Sequence, residues 1–205
     1  MVITVDIRPS KIESAITAAP FDKALEILTK NGYEIISLPQ NAELRIQQGK
    51  NADISRNGNW VKEGVLYVPN GKNKFLPVSP ILESSKEATQ AHREEAEFYL
   101  TKGQIEQSLI DSIDFPEKTI EIPTDEFGSR ALTIYIFGGK DEAKAYGEFL
   151  NDAGIKEMPV YAVDKDYVNN QNKPFARQIW FKNLDGNSEL GGGLLYQENR
   201  VRGVK

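Results

Sequence analysis

The amino-acid sequence predicts a mixed α/β protein of the α+β type. Its mixed sheet is expected to carry a central antiparallel meander, a C-terminal βαβ unit and a terminal β-hairpin. β-Branched alternating runs and apolar residues at helical spacing both recur along the chain. The hairpin-type dipeptides Asn57-Gly58 and Asn70-Gly71 separate short strand-like runs. Residues 132–163 follow a pattern of strand, glycine loop, helix and strand.

Size and composition limit the class of protein. The chain has 205 residues, of which 40% are hydrophobic and 27% charged, as is ordinary for globular proteins. This length predicts one compact domain over residues 1–205, or two lobes, 1–80 and 101–205, joined by a helix over 83–100. No apolar run approaches the roughly 18 residues of a membrane span, and the start lacks the basic and apolar regions of a signal peptide. We therefore expect a cytoplasmic protein that does not bind a membrane.

The N-terminal residues predict a compact unit of strands and helices. Residues 2–7 alternate and are β-branched, which is typical of a strand. Ser10 and Glu13 match a capping box, which predicts a helix up to residue 19. Apolar residues at helical spacing predict a second helix from residue 21 that ends at Asn31-Gly32. A strand is expected next, over residues 33–38.

The middle of the chain predicts a helix, a meander and two further helices. Composition favours a helix over residues 41–48. Two capping boxes, beginning at Ser84 and Thr101, predict one helix up to about residue 100 and another that ends before Pro116. The predicted strands of this part lie near residues 59–62, 64–68, 74–78 and 118–123.

The C-terminal part predicts the βαβ unit and the hairpin. Residues 132–137 are almost wholly apolar or β-branched, as in a strand covered on both faces. A helix over 140–151 and a strand over 158–163 follow, which predicts a parallel pair with a right-handed crossover. Residues 175–184 and 194–204 predict the terminal hairpin, with the glycines at 191–193 as a bulge or bend.

The most plausible ligand site lies at the carboxyl ends of the two strands of this βαβ unit. Gly138, Gly139 and Lys140 could bring backbone N–H groups and a positive charge to an anion at a helix N-terminus. Asp164 and Asp166 follow the next strand and would open on the same sheet edge. A tight turn and a helix cap are the simpler interpretations of the two segments, so no metal site and no particular cofactor are predicted.

The string of residues 137–146, FGGKDEAKAY, followed by Asp164-Lys-Asp166, resembles the Toprim pattern of topoisomerases and primase-type enzymes. That pattern implies metal-bound acidic residues after a strand. The glutamate expected in the first loop is Gly138 here, and the Asp-x-Asp arrives one βα unit early. The resemblance covers about 35 residues, and no activity follows from it.

Other candidate residues have simpler structural explanations. Cysteine is absent and His92 is the only histidine, which excludes disulfides and multi-histidine zinc sites. His92 lies on a charged helix and is expected to be exposed. Basic and aromatic residues of the meander could instead bind a single strand of nucleic acid by stacking and phosphate contacts. These residues are Arg56, Trp60, Lys62, Tyr67, Lys72 and Lys74.

Charge is unevenly distributed along the chain. The net charge is −5. Residues 82–157 carry seventeen acidic and eight basic side chains, whereas 49–77 and 173–205 each carry a small basic excess. A solvated helical face explains the acidic middle, and the basic excess is weak for nucleic-acid binding.

We therefore expect a non-catalytic binding or protein-interaction module, whose partner is a protein or a small anionic ligand. The first alternative is an enzyme or binding protein for a phosphorylated ligand or nucleotide at Gly138–Lys140 with Asp164 and Asp166. The second is a weak nucleic-acid-binding protein. Whether the chain is an enzyme stays open, as does its oligomeric state.

Overall fold

A computed structural model describes residues 3–6, 12–186, 188–195 and 200–205 of the chain. The described residues form one mixed sheet and eight α-helices, which confirms the predicted fold class. The strands are β1 (Thr4–Asp6), β2 (Ser14–Ala18), β3 (Glu34–Ile35), β4 (Asn59–Tyr67), β5 (Lys74–Leu76), β6 (Phe98–Tyr99), β7 (Ile113–Asp114), β8 (Ile120–Pro123), β9 (Glu157–Tyr161), β10 (Phe175–Phe181), β11 (Leu190–Gly193) and β12 (Arg200–Val204). The helices are α1 (Phe21–Lys30), α2 (Leu38–Gln48), α3 (Asp53–Arg56), α4 (Ser85–Arg93), α5 (Lys102–Ser108), α6 (Ala131–Ile136), α7 (Lys140–Asp152) and α8 (Lys165–Asn169).

The strands follow the order β1-β2-β12-β4-β10-β11-β9-β8 across the sheet. The β12–β4 and β11–β9 pairs are parallel, and the other neighbours along this order are antiparallel. Four short strands pair beside this order: β3 with β12, β5 with β4, β6 with β10, and β7 with β5. β4 and β10 therefore lie at the centre of the sheet and carry its most buried side chains.

Two clusters of buried apolar residues lie on opposite faces of the sheet. Val61, Val65 and Ile179 point to the face that α2, α6 and α7 cover. Trp60 and Leu66 point to the other face, against α1 and α4. Because successive side chains of a strand alternate between faces, the two central strands contribute to both cores.

Local capping signals set several of the helix ends. α1 ends at Lys30, Asn31 caps it, and Gly32 follows with φ +75°, as the Asn-Gly stop predicts. Thr101 and Gln104 complete the predicted capping box of α5. A capping box also begins α2 at Ser37 and Gln40, so the helix predicted from residue 41 begins three residues earlier. At Ser84 the predicted box is not formed, since its side chain makes no capping bond.

The predicted helix before Pro20 is wrong, because residues 14–18 form β2. This strand pairs with β1 on one side and with β12 on the other. The proposed cap at Ser10 lies outside the described residues. Apolar residues at helical spacing also fit a half-buried strand in so short a segment, and the ladder to β12 decides between them. Arg202 of β12 strengthens this ladder, since it donates to the Ser14 hydroxyl at 2.8 Å.

The predicted strand over residues 132–137 is also wrong, because these residues form α6. Its Thr133 hydroxyl donates to the backbone oxygens of Phe127 (2.5 Å) and Arg130 (3.0 Å), which holds the helix start. Ile136 and Phe137 are buried against α7 and the sheet. A short apolar run fits a buried strand and a buried helix equally well, so only its packing distinguishes them. The parallel βαβ unit is absent here, since β8 and β9, on either side of α6 and α7, pair antiparallel.

The meander and the terminal hairpin occur in altered form. The two strands predicted before Pro69 are one continuous strand, β4, which pairs antiparallel with β5. β10 forms its hairpin with β11, which contains the three glycines, whereas β12 leaves the hairpin and inserts between β2 and β4. The helix predicted over 83–100 ends at Arg93, and the chain turns at Glu95 (φ +58°) into β6.

Candidate functional site

The structure places Gly138, Gly139 and Lys140 between α6 and α7. Gly138 has φ +85°, and a Cβ there would lie 3.4 Å from the Pro39 ring of α2. Gly139 precedes the first turn of α7, where the Glu142 carboxylate lies against it. Lys140 is exposed. A cleft of about 440 Å³ between α2 and α7 adjoins this loop, so the loop borders a concave surface.

Asp164 and Asp166 lie at the start of α8. Asp164 accepts the Tyr167 N–H at 3.0 Å, so it caps the helix as the simpler interpretation predicted. Other side chains of α8 contact residues outside the 138–140 loop: Tyr167 donates to Glu97, and Lys165 pairs with Glu117. The 138–140 loop contacts α2 instead. The assumption that both segments follow parallel strands is wrong, whereas a ligand site at these five residues stays a prediction.

A different cleft lies beside β10 and β11, and we call it the aromatic cleft. It encloses about 280 Å³ above β10 and β11. Tyr161 is 47% exposed there, Trp180 is partly exposed and Trp60 is buried beneath them. Its lining residues are Trp60, Tyr161, Trp180, Lys182, Glu189, Leu190, Gly191, Gly192 and Gly193.

The three glycines of β11 allow aromatic rings to lie close to the strand backbone. A Cβ at Gly193 would lie 2.7 Å from the Trp60 ring, and a Cβ at Gly191 would lie 2.9 Å from the Tyr161 Cβ. Gly192 faces the opposite side, where a Cβ would lie 2.9 Å from the Tyr67 hydroxyl. Such distances exclude a larger residue without movement of its neighbours, so the glycines shape a flat surface between aromatic side chains.

A bulge in the β4–β10 pair brings the two tryptophans together. Gln178 pairs with Gly64, but Trp180 pairs with Trp60, so β4 holds extra residues between these pairs. The Gln178 amide donates to the Glu63 backbone oxygen at 3.0 Å and to that of Val61, which satisfies carbonyls in the bulge. The Trp60 and Trp180 rings meet edge to face with centroids 5.0 Å apart.

Charged groups border the aromatic cleft on one side. Lys182 and Glu189 form an ion pair at 2.9 Å with partly exposed side chains. The Lys182 N–H also donates to the Glu189 backbone oxygen at 2.8 Å, which closes the loop between β10 and β11. The cleft therefore combines a flat aromatic surface with a donor and an acceptor at its edge.

Buried polar groups support the strand beneath the cleft. Arg177 lies under Gly192 and pairs with Glu97, to which its Nε donates at 3.2 Å. The Tyr167 hydroxyl also donates to Glu97, at 2.8 Å. Burial raises the pKa of Tyr67 to about 12, so its phenol stays protonated beneath Gly192. These contacts hold the strand in place.

Arg45 is fully buried and ties the loop of the aromatic cleft to two helices. Its guanidinium donates to the Tyr146 hydroxyl of α7 and the Ser188 hydroxyl, each at 2.9 Å, and to the Lys182 carbonyl at 2.7 Å. It also lies 4.1 Å over the Phe181 ring. Neutral acceptors and an aromatic face therefore surround this charge.

His92 is fully buried, so the prediction that it is exposed is wrong. Its Nδ1 accepts the Leu195 N–H at 3.2 Å, which joins α4 to the chain beyond β11. Burial lowers the pKa of His92 to about 4, against the opposing effect of the Glu97 charge. His92 lies on the side of α4 that packs against the core, beside Ala88 and Thr89.

Glu63 lies in β4, and its buried carboxyl reaches the first residue of α2. Its oxygens accept the Leu38 N–H at 3.0 and 3.1 Å. Burial raises the pKa of Glu63 to about 8, although the Leu38 N–H lowers it. In the described residues, no group of three or more Asp, Glu or His side chains could hold a metal ion.

The residues suggested for nucleic-acid binding do not share an exposed surface. Trp60 and Tyr67 are buried in the core. Lys72 and Lys74 both pair with Asp114, at 2.7 and 2.6 Å. The structure therefore favours the core interpretation of the aromatic residues.

The sequence contains part of a signal for the aromatic cleft. Trp180 lies in a predicted strand, and the glycines at 191–193 are predicted to form a bulge or bend. Aromatic residues beside a run of glycines are typical of a close backbone approach. Tyr161, Lys182 and Glu189 join them only through the pairing of β11 with β9 and β10.

Comparisons with known proteins identify the fold. No protein-family model matches the sequence, and no curated protein matches it. A solved structure described as "Accommodation of massive sequence variation in Nanoarchaeota by the C-type lectin fold" is similar to the chain with a TM-score of 0.70 and 17% sequence identity. The alignment covers 97% of this chain and 99% of that chain. At this identity the similarity shows the fold alone, which is a C-type lectin fold.

Proposed function

We propose that this protein is a non-catalytic binding module whose ligand occupies the aromatic cleft. The observation that carries this proposal is the glycine surface of β11 between Tyr161 and Trp180. Exposed aromatic side chains around a preformed cavity are typical of binding sites. The C-type lectin fold of a similar structure is consistent with a binding module.

The chemistry of the cleft favours a ligand with a flat ring and polar edges. A ring can stack on Tyr161 or Trp180, while Lys182 and Glu189 can exchange hydrogen bonds with groups at its edge. The Gly191–Gly193 backbone lines the same cleft, so a ring bound there would lie beside the strand.

Tryptophan fluorescence tests this proposal. We would titrate the protein with monosaccharides, oligosaccharides and aromatic peptides and follow the tryptophan emission, to which Trp60 and Trp180, both lining the cleft, contribute. A ring-bearing ligand should bind the wild type, and Tyr161→Ala should weaken that binding by about fivefold or more, since stacking on an aromatic ring contributes on the order of 1 kcal/mol. Tyr99→Ala removes an equally exposed tyrosine outside the cleft and serves as the control. Equal affinity of the two variants would sink the proposal.

A second candidate is an anionic-ligand site at Gly138, Gly139, Lys140, Asp164 and Asp166. The loop of this site borders the cleft between α2 and α7. Lys140→Ala combined with Asp164→Asn should abolish the binding of nucleotides or phosphosugars while the thermal unfolding midpoint stays unchanged. Unaltered binding in this variant, measured by calorimetry, would exclude the site.

A further inference from the structure

A groove beside α5 lies away from the aromatic cleft, and we call it the α5 groove. It encloses about 410 Å³ between residues 77–83, one side of α5 and the turn that follows α5. This volume lies within the range of about 300–1,000 Å³ that is usual for ligand sites. The aromatic cleft shares none of its lining residues, so the two are separate surfaces.

Apolar side chains form the exposed part of the α5 groove. Ile110 is 63% exposed and Val78 is 50% exposed. Both residues line the groove together with Pro77 and Pro80, so much of its lining is apolar. An exposed apolar patch of this kind marks an interaction surface.

The turn after α5 accounts for the exposure of Ile110. Asp111 has φ +57°, a conformation that aspartate tolerates better than most residues. The Tyr135 hydroxyl donates to the Asp111 carbonyl oxygen, which holds the turn. This contact from α6 fixes the backbone of the turn in the conformation that exposes Ile110.

The charges at the groove point to a basic partner. Glu83 and Asp111 line it, and neither carboxylate forms an ion pair with any residue that the structure describes. The surrounding segment, residues 82–157, is the acidic part of the chain, with seventeen acidic and eight basic side chains. A second copy of this chain would bring its own acidic groove and a net charge of −5, so repulsion disfavours it.

We propose that the α5 groove binds a peptide segment of a partner protein that carries both apolar and basic residues. The apolar side chains of that segment cover Ile110 and Val78, and its basic groups pair with Glu83 and Asp111. Desolvation of an apolar centre surrounded by charged pairs is the usual arrangement of a protein interface.

Fluorescence anisotropy with three labelled peptides of equal length tests the proposal. The first peptide alternates leucine with lysine, the second leucine with glutamate and the third serine with lysine. Only the leucine–lysine peptide should bind the wild-type chain. Ile110→Ser should weaken that binding by about tenfold or more, because a central apolar contact is lost.

Charge-neutral variants test the ionic part. Glu83→Gln with Asp111→Asn should weaken binding by about tenfold at low salt and have less effect at high salt, where exposed charges are screened. Asn tolerates the positive φ at position 111, so the turn should be kept. Ile46→Ser on α2, which removes another exposed isoleucine, and Tyr161→Ala in the aromatic cleft should leave peptide binding unchanged.

Four results would overturn the proposal. They are failure of the leucine–lysine peptide to bind the wild type, unaltered affinity of Ile110→Ser, binding of the leucine–glutamate peptide with equal affinity, and self-association that Ile110→Ser abolishes. The last result, measured by sedimentation, would identify a second copy of the chain as the occupant. Equal binding of the serine–lysine peptide would overturn the proposal as well, because the apolar contacts would then contribute nothing.

Discussion

At the residue scale, two buried ionisable groups make the stability of this protein depend on pH in opposite directions. Glu63 is held at the start of α2 with its pKa raised to about 8 by burial. His92 is held against Leu195 with its pKa lowered to about 4, also by burial. Both groups are neutral in the folded state near neutral pH. Glu63 loses its proton only as pH rises, and His92 gains one only as pH falls.

Glu63→Gln should remove the loss of stability that the wild type shows as pH rises. The folded pKa of Glu63 lies above the unfolded value of 4.5, so its stabilising contribution is present below pH 4.5 and is lost as pH rises towards 8. Urea unfolding at pH 5, 7 and 9 should show that the free energy of unfolding of the variant rises relative to that of the wild type, by on the order of 3 kcal/mol at pH 9. Glu43→Gln, at an exposed position of α2, the helix whose first N–H binds Glu63, is the control and should follow the wild type. Parallel curves for Glu63→Gln and wild type would contradict the burial argument.

His92→Gln should remove part of the acid sensitivity. The folded pKa of His92 lies below the unfolded value of 6.5, so its contribution is present above pH 6.5 and is lost as pH falls towards 4. The glutamine oxygen can still accept the Leu195 N–H. The free energy of unfolding of the variant, measured at pH 7, 5.5 and 4, should fall less than that of the wild type, with a difference on the order of 2 kcal/mol at pH 4. An identical fall in both proteins would show that His92 does not titrate in this range.

At the element scale, β11 owes its position to the close approach of aromatic rings to glycine. Gly193 lies against Trp60 and Gly191 against Tyr161. Trp60 is itself held edge to face by Phe21 of α1, with centroids 5.9 Å apart. The strand can therefore accept side chains at these positions only if the core moves.

Gly193→Ala should destabilise the protein by about 1–3 kcal/mol, since its Cβ would lie 2.7 Å from the Trp60 ring. Gly103→Ala is the matched control, because nothing lies within 4 Å of a Cβ there. Gly103 is in α5, so alanine should stabilise the protein by up to about 1 kcal/mol. Thermal unfolding of the two variants measures the contrast. Similar midpoints would mean that β11 moves readily away from Trp60.

At the scale of the whole molecule, two buried arginines connect segments that are far apart in sequence. Arg202 joins β12 to Asp6 of β1 at 3.1 Å and to Asp53 of α3. Arg45 joins α2 to α7, to the end of β10 and to the loop before β11. These contacts link the two ends of the chain into the central sheet. The division into one domain or two lobes stays a prediction.

Arg45→Met should destabilise the protein by about 3 kcal/mol or more, because it leaves the Tyr146 and Ser188 hydroxyls and the Lys182 carbonyl without their buried donor. Arg45→Lys keeps the charge but not the planar fork of donors, so it should recover only part of this loss. Chemical denaturation of both variants measures the effect. A fully stable Arg45→Lys protein would show that charge, and not the shape of the guanidinium, is what matters.

The parts of the fold that depend on neighbouring residues could be predicted from the sequence. The end of α1 at Asn31-Gly32 and the capping box of α5 follow from contacts within a few residues, and both are confirmed. Residues 132–137 could not be predicted in the same way. Their apolar side chains satisfy a strand or a helix, and the Thr133 bonds to Phe127 and Arg130 select the helix.

The candidate site shows the same division. Trp180 and the glycines of β11 are visible in the sequence, but their meeting with Tyr161 depends on strand pairing across the sheet. The buried state of His92 depends likewise on Leu195, 103 residues further along the chain.

The sequence by itself determined the fold class, the absence of thiol chemistry and the helix ends that local caps specify. Only the tertiary structure decided that residues 14–18 form a strand, that α6 replaces a strand and that the aromatic cleft exists. The physical reason is range. Capping and turn preferences are settled between residues a few positions apart, whereas burial and strand pairing join residues that the chain separates by tens of positions. Such long-range pairing has no signature in any short segment of sequence.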